Sequence, residues 1–259
     1  MIDFHSHILP NVDDGSKSME ETINLIKEAK ESGFEAIVST SHYIEGYYEV
    51  PNNEREEILK KINKELKKTD CNIKIYLGNE NYLSNNLINL IKQNRAATMG
   101  NSDYVLFELP MNVKPMNIYN VVYDMLENNL KPVLAHPERY TFVQAEPDIL
   151  YDLIEKGVLM QVNYGSIIGY YGKRAEIIAK KLLKNNMVHF LGSDVHKQNT
   201  IYPKIEKILL KINEIVEKEK LEEITTINPK LVLQNKNINI NEPKKIKLTI
   251  KEKLIMKTK

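Results

Sequence analysis

The sequence is poor in cysteine, in long apolar runs and in net charge, and each shortage excludes a class of protein. Cys71 is the only cysteine among 259 residues, which excludes an intrachain disulfide and a cysteine-ligated metal site and favours a cytoplasmic location. No uninterrupted apolar stretch approaches the roughly 18 residues needed to span a bilayer. The N-terminus lacks a basic region followed by an apolar run, so no signal peptide is expected. A net charge of +1 gives no general case for nucleic-acid binding.

Short apolar segments alternate with longer segments of helical period along most of the chain. The predicted strands are rich in Val, Ile, Leu and aromatic residues, as buried parallel strands are. They lie at Ile2–His7, Glu35–Thr40, Ile73–Leu77, Tyr104–Leu109, Pro132–Ala135, Val158–Asn163 and Val188–Gly192. A first helix is predicted between the Ser18 capping box and Gly33, and others cover about 53–68, 85–93, 117–129, 148–156, 173–186 and 202–219. This alternation predicts a parallel α/β sheet, and the number of units favours a closed barrel.

Residues 235–259 differ in composition from the rest of the chain. They contain eight lysines against two glutamates, a net charge of +6, so residues 1–234 carry −5 of the total of +1. We predict one domain over 1–234 and a solvated basic tail, able to contact anionic membranes weakly, over 235–259. Ile246, Leu248 and Ile250 alternate with polar residues, which leaves a terminal strand as the alternative.

Histidines and carboxylates are concentrated where the predicted strands end. Five of the six histidines lie at or just past such an end, namely His5, His7, His42, His136 and His196. Acidic residues occupy the same level or the first loop, namely Asp13, Asp14, Glu80, Glu108 and Asp194. In parallel α/β barrels the active site lies at the carboxyl ends of the strands. The distribution therefore predicts one active site built from several strands.

The spacing and the types of these residues indicate a metal centre. Side chains two apart on a strand point the same way, so His5 and His7 share a face. Asp194 and His196 do likewise if their strand continues past Gly192. Imidazole and carboxylate are the ligands expected for zinc, manganese or iron rather than calcium. So many groups exceed the needs of one tetrahedral ion and suit two or three divalent ions.

Taken one at a time, these residues also have structural interpretations. A lone histidine at a strand end is more often a hydrogen-bonded structural residue, and His189, inside an apolar run, is predicted to be one. Asp3 either supports a ligand or merely begins a strand. Glu108 is harder to explain structurally, because a carboxylate within the apolar segment Leu-Phe-Glu-Leu-Pro needs a partner. The constellation as a whole favours the metal centre.

The motifs that carry these residues resemble those of the PHP (polymerase and histidinol phosphatase) superfamily. The opening motif is Asp3-Phe4-His5-Ser6-His7, followed by Leu9-Pro10 and Asp13-Asp14-Gly15. The later motifs are Thr40-Ser41-His42, Gly78-Asn79-Glu80, Phe107-Glu108-Leu109, His136-Pro137-Glu138-Arg139 and Gly192-Ser193-Asp194-Val195-His196. The Leu-Pro-x-x-Asp-Asp-Gly and His-Pro-Glu-Arg elements are most similar to the bacterial capsular-polysaccharide tyrosine phosphatase branch, of the CpsB/CapC type. The resemblance extends from residue 1 to about residue 234.

The resemblance implies a distorted TIM-like (β/α)7 barrel and a site for three ions, usually manganese, with iron or zinc as alternatives. It implies one ion held by His5, His7, Glu80 and Asp194, a second by Glu80, Glu108 and His136, and a third by Asp14, His42 and His196. Relatives often carry a phosphate-binding arginine several residues past the last histidine, but here the stretch is Lys197-Gln198-Asn199-Thr200-Ile201. Lys197 is a candidate substitute, although lysine lacks the planar fork of arginine.

The activity implied is that of a metal-dependent protein-tyrosine phosphatase. Metal ions lower the pKa of bound water, so hydroxide is available at neutral pH to attack phosphorus. Arg139 would neutralise phosphoryl charge, and Asp14 or His196 would assist the leaving tyrosyl oxygen. A surface ion pair with Glu138 or Glu146 is the alternative role of Arg139. The Cys-x5-Arg nucleophile of other tyrosine phosphatases is absent.

The resemblance further implies a phosphotyrosine protein as substrate, namely a bacterial tyrosine kinase that controls capsule or exopolysaccharide synthesis. The loop Tyr43–Tyr48 offers tyrosines that either flank an aromatic phosphoester or pack within the loop. Three other functions are considered: a histidinol-phosphate phosphatase, a nuclease and a non-catalytic metal-binding interaction protein. The net acidity of residues 1–234 opposes a nuclease, and the complete ligand set opposes a non-catalytic protein.

Overall fold

The computed structural model describes residues 1–257, and in it a curled sheet of parallel strands is surrounded by helices. The strands are β1 (Ile2–Ser6), β2 (Ala36–Ser39), β3 (His42–Tyr43), β4 (Lys74–Leu77), β5 (Glu80–Tyr82), β6 (Tyr104–Glu108), β7 (Lys131–Ala135), β8 (Leu159–Asn163) and β9 (Phe190–Gly192). The helices are α1 (Met19–Glu31), α2 (Asn52–Leu66), α3 (Leu87–Lys92), α4 (Ile118–Glu127), α5 (Thr141–Ala145), α6 (Asp148–Glu155), α7 (Tyr164–Ile167), α8 (Lys173–Lys184), α9 (Ile205–Asn213), α10 (Lys218–Glu222), α11 (Asn228–Leu233) and α12 (Ile250–Lys257). Short 3-10 turns cover Met99–Asn101, Pro137–Arg139 and Tyr202–Lys204, and a π-helical turn covers Glu223–Ile227.

The strands form two hydrogen-bonded ladders, in the orders β1-β2-β4 and β3-β5-β6-β7-β8-β9, and all the pairings are parallel. The last strand approaches the first through the residues that follow each of them. The His7 backbone N–H donates to the Val195 carbonyl at 3.0 Å, and the Asp194 N–H donates to the His5 carbonyl at 2.8 Å. The predicted parallel α/β fold is confirmed.

Bends interrupt two strands and let them take part in both ladders. β2 and β3 are separated by Thr40 and Ser41, and β4 and β5 are separated by Gly78 and Asn79. The Asn79 side chain joins the two bends to their surroundings, because it donates to the Ser41 carbonyl at 2.7 Å and accepts from the Ala97 N–H at 2.9 Å. The bends therefore set the direction of the short strands that follow them.

The seven predicted strands each overlap an observed strand, but β3 and β5 were not predicted. These two strands are 2 and 3 residues long, too short to show any period in the sequence. They begin at His42 and Glu80. The two strands that sequence periodicity does not detect therefore carry two of the predicted ligands. The single helix predicted over 202–219 is instead two helices, α9 and α10, because the chain leaves the helical path after Asn213.

The strands β1, β2, β6 and β8 are buried on both faces, which explains their largely apolar composition. On β6, Val105 and Phe107 belong to the main apolar core, whereas Tyr104 and Leu106 belong to a second apolar cluster. That second cluster includes Phe4 on β1, whose ring stacks on the ring of Phe190 with 4.1 Å between centroids. Packing on both faces holds the strand ends, and hence the residues on them, in fixed positions.

The C-terminal segment lies along the outside of the sheet and its helices. The Lys244 N–H donates to the Asn185 carbonyl at 2.9 Å, Ile246 is buried, and Glu252 of α12 pairs with Lys181 of α8 at 2.9 Å. A terminal strand is therefore not formed in residues 235–257, because the segment bonds to the end of a helix rather than to a strand edge. Residues 258 and 259 of the predicted tail lie outside the described part. Across residues 1–257, none of the helices has the length and apolar character that a bilayer crossing requires.

Candidate metal centre

Four predicted ligands converge on one point at the carboxyl ends of the strands. His5 and His7 lie at the end of β1, Glu80 begins β5, and Asp194 follows β9. The His5 and His7 Nε2 atoms lie 3.2 and 3.3 Å from Glu80 Oε2, and 3.6 and 3.5 Å from Asp194 Oδ1. The ligand atoms of a tetrahedral ion with bonds of about 2.1 Å are separated by about 3.4 Å. This first set, which is the one that the resemblance implies, has spacings that suit an ion's coordination shell.

A second set lies on the other side of Glu80. His42 Nδ1 is 3.0 Å from Glu108 Oε1 and 3.2 Å from Glu80 Oε2, so these three residues form the group whose ligand atoms converge. His136, which the sequence placed in this set, lies beside it with Nε2 2.6 Å from Glu80 Oε1. Glu80 therefore contacts candidate ligands of both the first and the second set.

The third set faces solvent. Asp14 Oδ1 lies 3.2 Å from His196 Nε2 and 3.6 Å from His42 Nε2. His7 joins this group, with its ring centroid 4.0 Å from that of His196. The Asp14 side chain is 54% exposed, whereas the carboxylates of the first set are buried, so access to the centre is from the third set. The structure thus brings all nine predicted ligands together and places His42 between two sets.

Buried atoms without hydrogen-bond partners test whether ions fit this centre. Glu80 Oε2, His42 Nδ1 and His136 Nδ1 are buried, and despite the short distances between neighbouring ligand atoms none of the three has a partner with hydrogen-bond geometry. Such burial is costly unless another partner satisfies the atom, and a divalent cation does so for a carboxylate or imidazole lone pair. Burial by itself lowers the pKa of His42, but the Glu80 carboxylate raises it to about 9, so without metal this centre attracts protons instead. The donor set therefore fits divalent cations.

Asp13, which the sequence located in the first loop without a role, orients His7. Its Oδ2 atom accepts from His7 Nδ1 at 2.8 Å and from the His42 backbone N–H at 2.8 Å. Burial alone would raise the pKa of Asp13, but the charge and hydrogen bond of His7 hold it well below its usual value. The ionised carboxylate keeps the His7 proton on Nδ1 and leaves Nε2 for the first set. Gly15 is required here because a Cβ at that position would lie 2.2 Å from the His7 carbonyl oxygen.

The structure shows the surroundings of Asp3 and His189, for which the sequence left a structural role open. Asp3 supports the centre, because its carboxylate accepts from the Ser193 N–H at 2.8 Å and the Tyr202 hydroxyl at 2.7 Å, next to the ligand Asp194. His189 is structural, as predicted: its Nδ1 atom accepts from the Met160 N–H at 3.0 Å and it belongs to none of the three sets.

Arg139 lies beside the centre rather than on a surface ion pair. Its Nη1 atom donates to Asp194 Oδ2 at 2.5 Å, and its Cζ atom lies 4.4 Å from the centre of the Tyr171 ring. The alternative pairing with Glu138 or Glu146 is therefore wrong: Glu138 is buried and accepts instead from Ser166 Oγ at 2.6 Å.

A cavity of about 240 Å³ opens next to Arg139 and reaches the candidate ligands Asp194 and His196. It is lined by Arg139, Tyr170, Tyr171, Asp194, His196, Lys197, Thr200 and Ile201. Lys197 therefore lines the same cavity as Arg139. The tyrosines of the loop Tyr43–Tyr48 lie in different surroundings. Tyr43 is buried and Tyr47 is 74% exposed. The Tyr48 ring stacks on the His42 ring with 6.0 Å between centroids.

Sequence reasoning assigned no role to several residues that hold the ligands in place. The Tyr140 hydroxyl accepts from the Leu109 N–H at 2.9 Å and donates to the Ala135 carbonyl at 3.0 Å, tying the ends of β6 and β7 together. Gln161 and Asn163 of β8 are fully buried. The sequence could have indicated these two residues. Polar residues within the apolar strand Leu-Met-Gln-Val-Asn need hydrogen-bond partners, as Glu108 does.

Comparisons with known proteins find a matching family and relatives over most of the chain. The family model for capsular polysaccharide synthesis, CpsB/CapC, matches residues 1–234. Tyrosine-protein phosphatase YwqE of Bacillus subtilis (strain 168) is 30% identical over 250 residues, which cover 95% of this chain and 97% of that protein. The putative tyrosine-protein phosphatase CapC of Staphylococcus aureus is 33% identical over 250 residues, covering 94% and 95%.

A solved structure shows the same fold over nearly the whole chain. It comes from work on YwqE from Bacillus subtilis and CpsB from Streptococcus pneumoniae, described as unique metal-dependent tyrosine phosphatases. It matches with a TM-score of 0.90 at 28% identity, covering 96% of this chain and all of that one (100%).

Proposed function

The chain belongs to the CpsB/CapC family of capsular polysaccharide synthesis, and from this membership we propose that it is a metal-dependent protein-tyrosine phosphatase. The observation that carries the proposal is the convergence of histidine and carboxylate ligand atoms at one end of the sheet. The substrate we propose is a phosphotyrosine protein, in particular a bacterial tyrosine kinase of capsule or exopolysaccharide synthesis.

The centre is proposed to hold two or three divalent ions, with manganese expected and iron or zinc as alternatives. The first ion is assigned to His5, His7, Glu80 and Asp194. The second is assigned to Glu80, Glu108 and His136, with His42 as a further candidate because its Nδ1 atom lies 3.0 Å from Glu108 Oε1. The third is assigned to Asp14, His42 and His196. When bound, such ions act as Lewis acids towards a phosphoryl oxygen and lower the pKa of water.

The protein's own groups would bind the phosphoryl group and assist the leaving oxygen. Arg139 is proposed to bind phosphoryl oxygens from the cavity beside the centre. Asp14 and His196 are the two candidates for assisting the leaving oxygen, because both lie on the exposed side of the centre, with Asp14 Oδ1 3.2 Å from His196 Nε2. Help from an acid is less essential for a tyrosyl oxygen, whose pKa is about 10, than for a serine alkoxide.

The curled sheet is proposed to be a distorted TIM-like (β/α)7 barrel of the PHP type. The parallel bridge between Ser6 and Val195 supports closure between the first and last strands. The two bent strands support a count of seven, since β2 with β3 and β4 with β5 then act as single strands. A cytoplasmic location is part of the proposal and is supported by the unpaired Cys71. We also propose a weak contact of the basic C-terminal segment with anionic membranes.

The test compares substrates and metals in one set of assays. We expect turnover of a phosphotyrosine peptide to exceed that of a matched phosphoserine peptide, histidinol phosphate and single-stranded DNA. Exhaustive dialysis against a chelator should abolish the activity, and added Mn²⁺ should restore it. Full activity of the metal-free protein would contradict the metal proposal, and a preference for histidinol phosphate would point to the amine-recognising alternative.

A further inference from the structure

Strand β8 contributes no metal ligand, yet two of its side chains join two ligands of the first set. Gln161 Oε1 lies 2.8 Å from His5 Nδ1, and Gln161 Nε2 donates to Asn163 Oδ1 at 2.9 Å. Asn163 Nδ2 in turn donates to Asp194 Oδ2 at 2.7 Å. The hydrogen bonds run in one direction, from His5 through Gln161 and Asn163 to Asp194. We refer to Gln161 and Asn163 as the β8 relay.

The relay selects which atom of each ligand is free for an ion. A carbonyl oxygen is only an acceptor, so Gln161 Oε1 requires the His5 proton to sit on Nδ1, which leaves the Nε2 lone pair for the first set. Asn163 and Arg139 both donate to Asp194 Oδ2, at 2.7 and 2.5 Å. Their donation leaves Asp194 Oδ1 on the side of the ion, where it lies 3.6 Å from His5 Nε2.

The surroundings of the relay hold it in one arrangement. Glu138 Oε1 accepts from the Asn163 backbone N–H at 3.0 Å, which anchors the end of β8. A Cβ at Gly192 would lie 2.5 Å from His5 Cβ and 2.8 Å from Gln161 Nε2, so only glycine lets β9 approach this closely. Both relay side chains are fully buried, so water does not compete for these hydrogen bonds.

We propose that Gln161 and Asn163 are positioning residues that set the affinity of the first ion by orienting His5 and Asp194. The inference rests on the proposed metal centre and extends it to residues outside the ligand set. Partners of this kind typically change metal affinity by about 10- to 100-fold when they are lost. Because the relay acts in series, loss of one member removes most of the effect and loss of the second adds little.

The experiment measures the dissociation constant of Mn²⁺ from the full-length protein, with free Mn²⁺ followed by electron paramagnetic resonance. Gln161→Met and Asn163→Leu remove the hydrogen bonds at similar side-chain size, and each is expected to raise the Kd of the tightest ion by about 10- to 100-fold. The double variant is expected to bind about as weakly as the weaker single variant. Asn228→Leu is the matched control, since this buried amide donates to the His189 carbonyl at 3.0 Å and not to a proposed ligand.

More conservative variants keep the test decisive if an apolar replacement does not fold. Gln161→Glu keeps an acceptor for His5 and is expected to retain more affinity than Gln161→Met, while Asn163→Asp replaces the donor to Asp194 with a like charge and is expected to weaken binding. The visible spectrum of bound Co²⁺ should change in the relay variants and not in Asn228→Leu. Wild-type Kd values in the relay variants, or an equal loss in the control, would overturn the inference. A wild-type protein that binds none of Mn²⁺, Fe²⁺ and Zn²⁺ would instead overturn the proposed function.

Discussion

The guanidinium group of Arg139 links the metal centre to the cavity beside it. One of its nitrogens bonds to Asp194, and the Tyr171 ring lies 4.4 Å from its Cζ atom. Both contacts orient a planar group whose paired donors match two phosphoryl oxygens. Lys197 lines the same cavity but offers a single point charge. Among the single residues, Arg139 is therefore the main candidate for a phosphate-binding group other than the metal ions.

Replacing Arg139 should weaken catalysis even when Mn²⁺ saturates the centre, a condition under which loss of the hydrogen bond from Arg139 to Asp194 does not limit metal binding. We expect Arg139→Ala to lower kcat/KM on a phosphotyrosine peptide by about 10²–10³-fold, the effect of losing one oxyanion donor. Arg139→Lys should recover little, because the fork is lost, and Lys197→Ala should do less harm than Arg139→Ala. Steady-state kinetics with metal analysis of each variant measures this. Wild-type kinetics in Arg139→Ala would mean that the ions alone hold the phosphate.

At the scale of elements, the C-terminal segment combines a packed part and a charged part. Ile246 is buried, and Glu252 of α12 pairs with Lys181 of α8. On the outer side of α12, Ile250 and Leu254 are 82% and 62% exposed, one helical turn apart. The segment therefore contributes to stability through its inner side and offers a basic, partly apolar surface on its outer side.

Removing residues 238–259 should separate these contributions from chemistry. We expect the truncated protein to keep kcat/KM on a small aryl phosphate, since none of the proposed ligands lies in the segment. Its Tm should fall, because burial of Ile246 is lost, and its binding to anionic vesicles should disappear. A full-length variant with the lysines of α12 changed to glutamine is the control: it should lose vesicle binding but keep its Tm. Loss of aryl phosphate hydrolysis in the truncated protein would contradict the assignment of the site to residues 1–234.

At the scale of the whole molecule, His189 couples stability to pH. Burial, reinforced by Lys220, lowers its pKa from 6.5 to about 3, so the folded protein keeps it neutral. Below pH 6.5 the unfolded chain binds a proton that the folded chain does not bind. The free energy of unfolding is therefore unaffected by His189 above about pH 6.5. It decreases progressively as the pH falls from there towards about 3.

The free energy of unfolding should depend less on pH in the variant His189→Asn than in the wild type. Asparagine keeps an acceptor for the Met160 N–H but has no proton to gain. Between pH 7 and pH 5, the free energy of unfolding of the wild type should fall by about 2 kcal/mol more than that of the variant. Urea unfolding of both metal-free proteins across this range measures the difference, and the titrating metal ligands cancel because both proteins have them. Parallel pH curves would show that His189 does not titrate on unfolding.

The sequence by itself determined the parallel α/β fold and the residues that meet at the strand ends. Both follow from local patterns: apolar segments define strands and helices, and parallel strands bring their carboxyl ends to one edge. His5, His7 and Asp194 could be predicted to lie together because each sits at such an end. The short strands that begin at His42 and Glu80 could not be predicted, since two or three residues show no period.

Only the tertiary structure decided how the ligands are shared and what orients them. His42 presents Nδ1 to Glu108 and Nε2 to Asp14, a division that depends on how its ring is turned rather than on its place in the chain. The hydrogen bond between His5 and Gln161 joins residues 156 positions apart. Hydrogen bonds of this kind depend on the register of β8 against its neighbours in space. No local pattern encodes that register, so sequence reasoning assigned no role to Gln161.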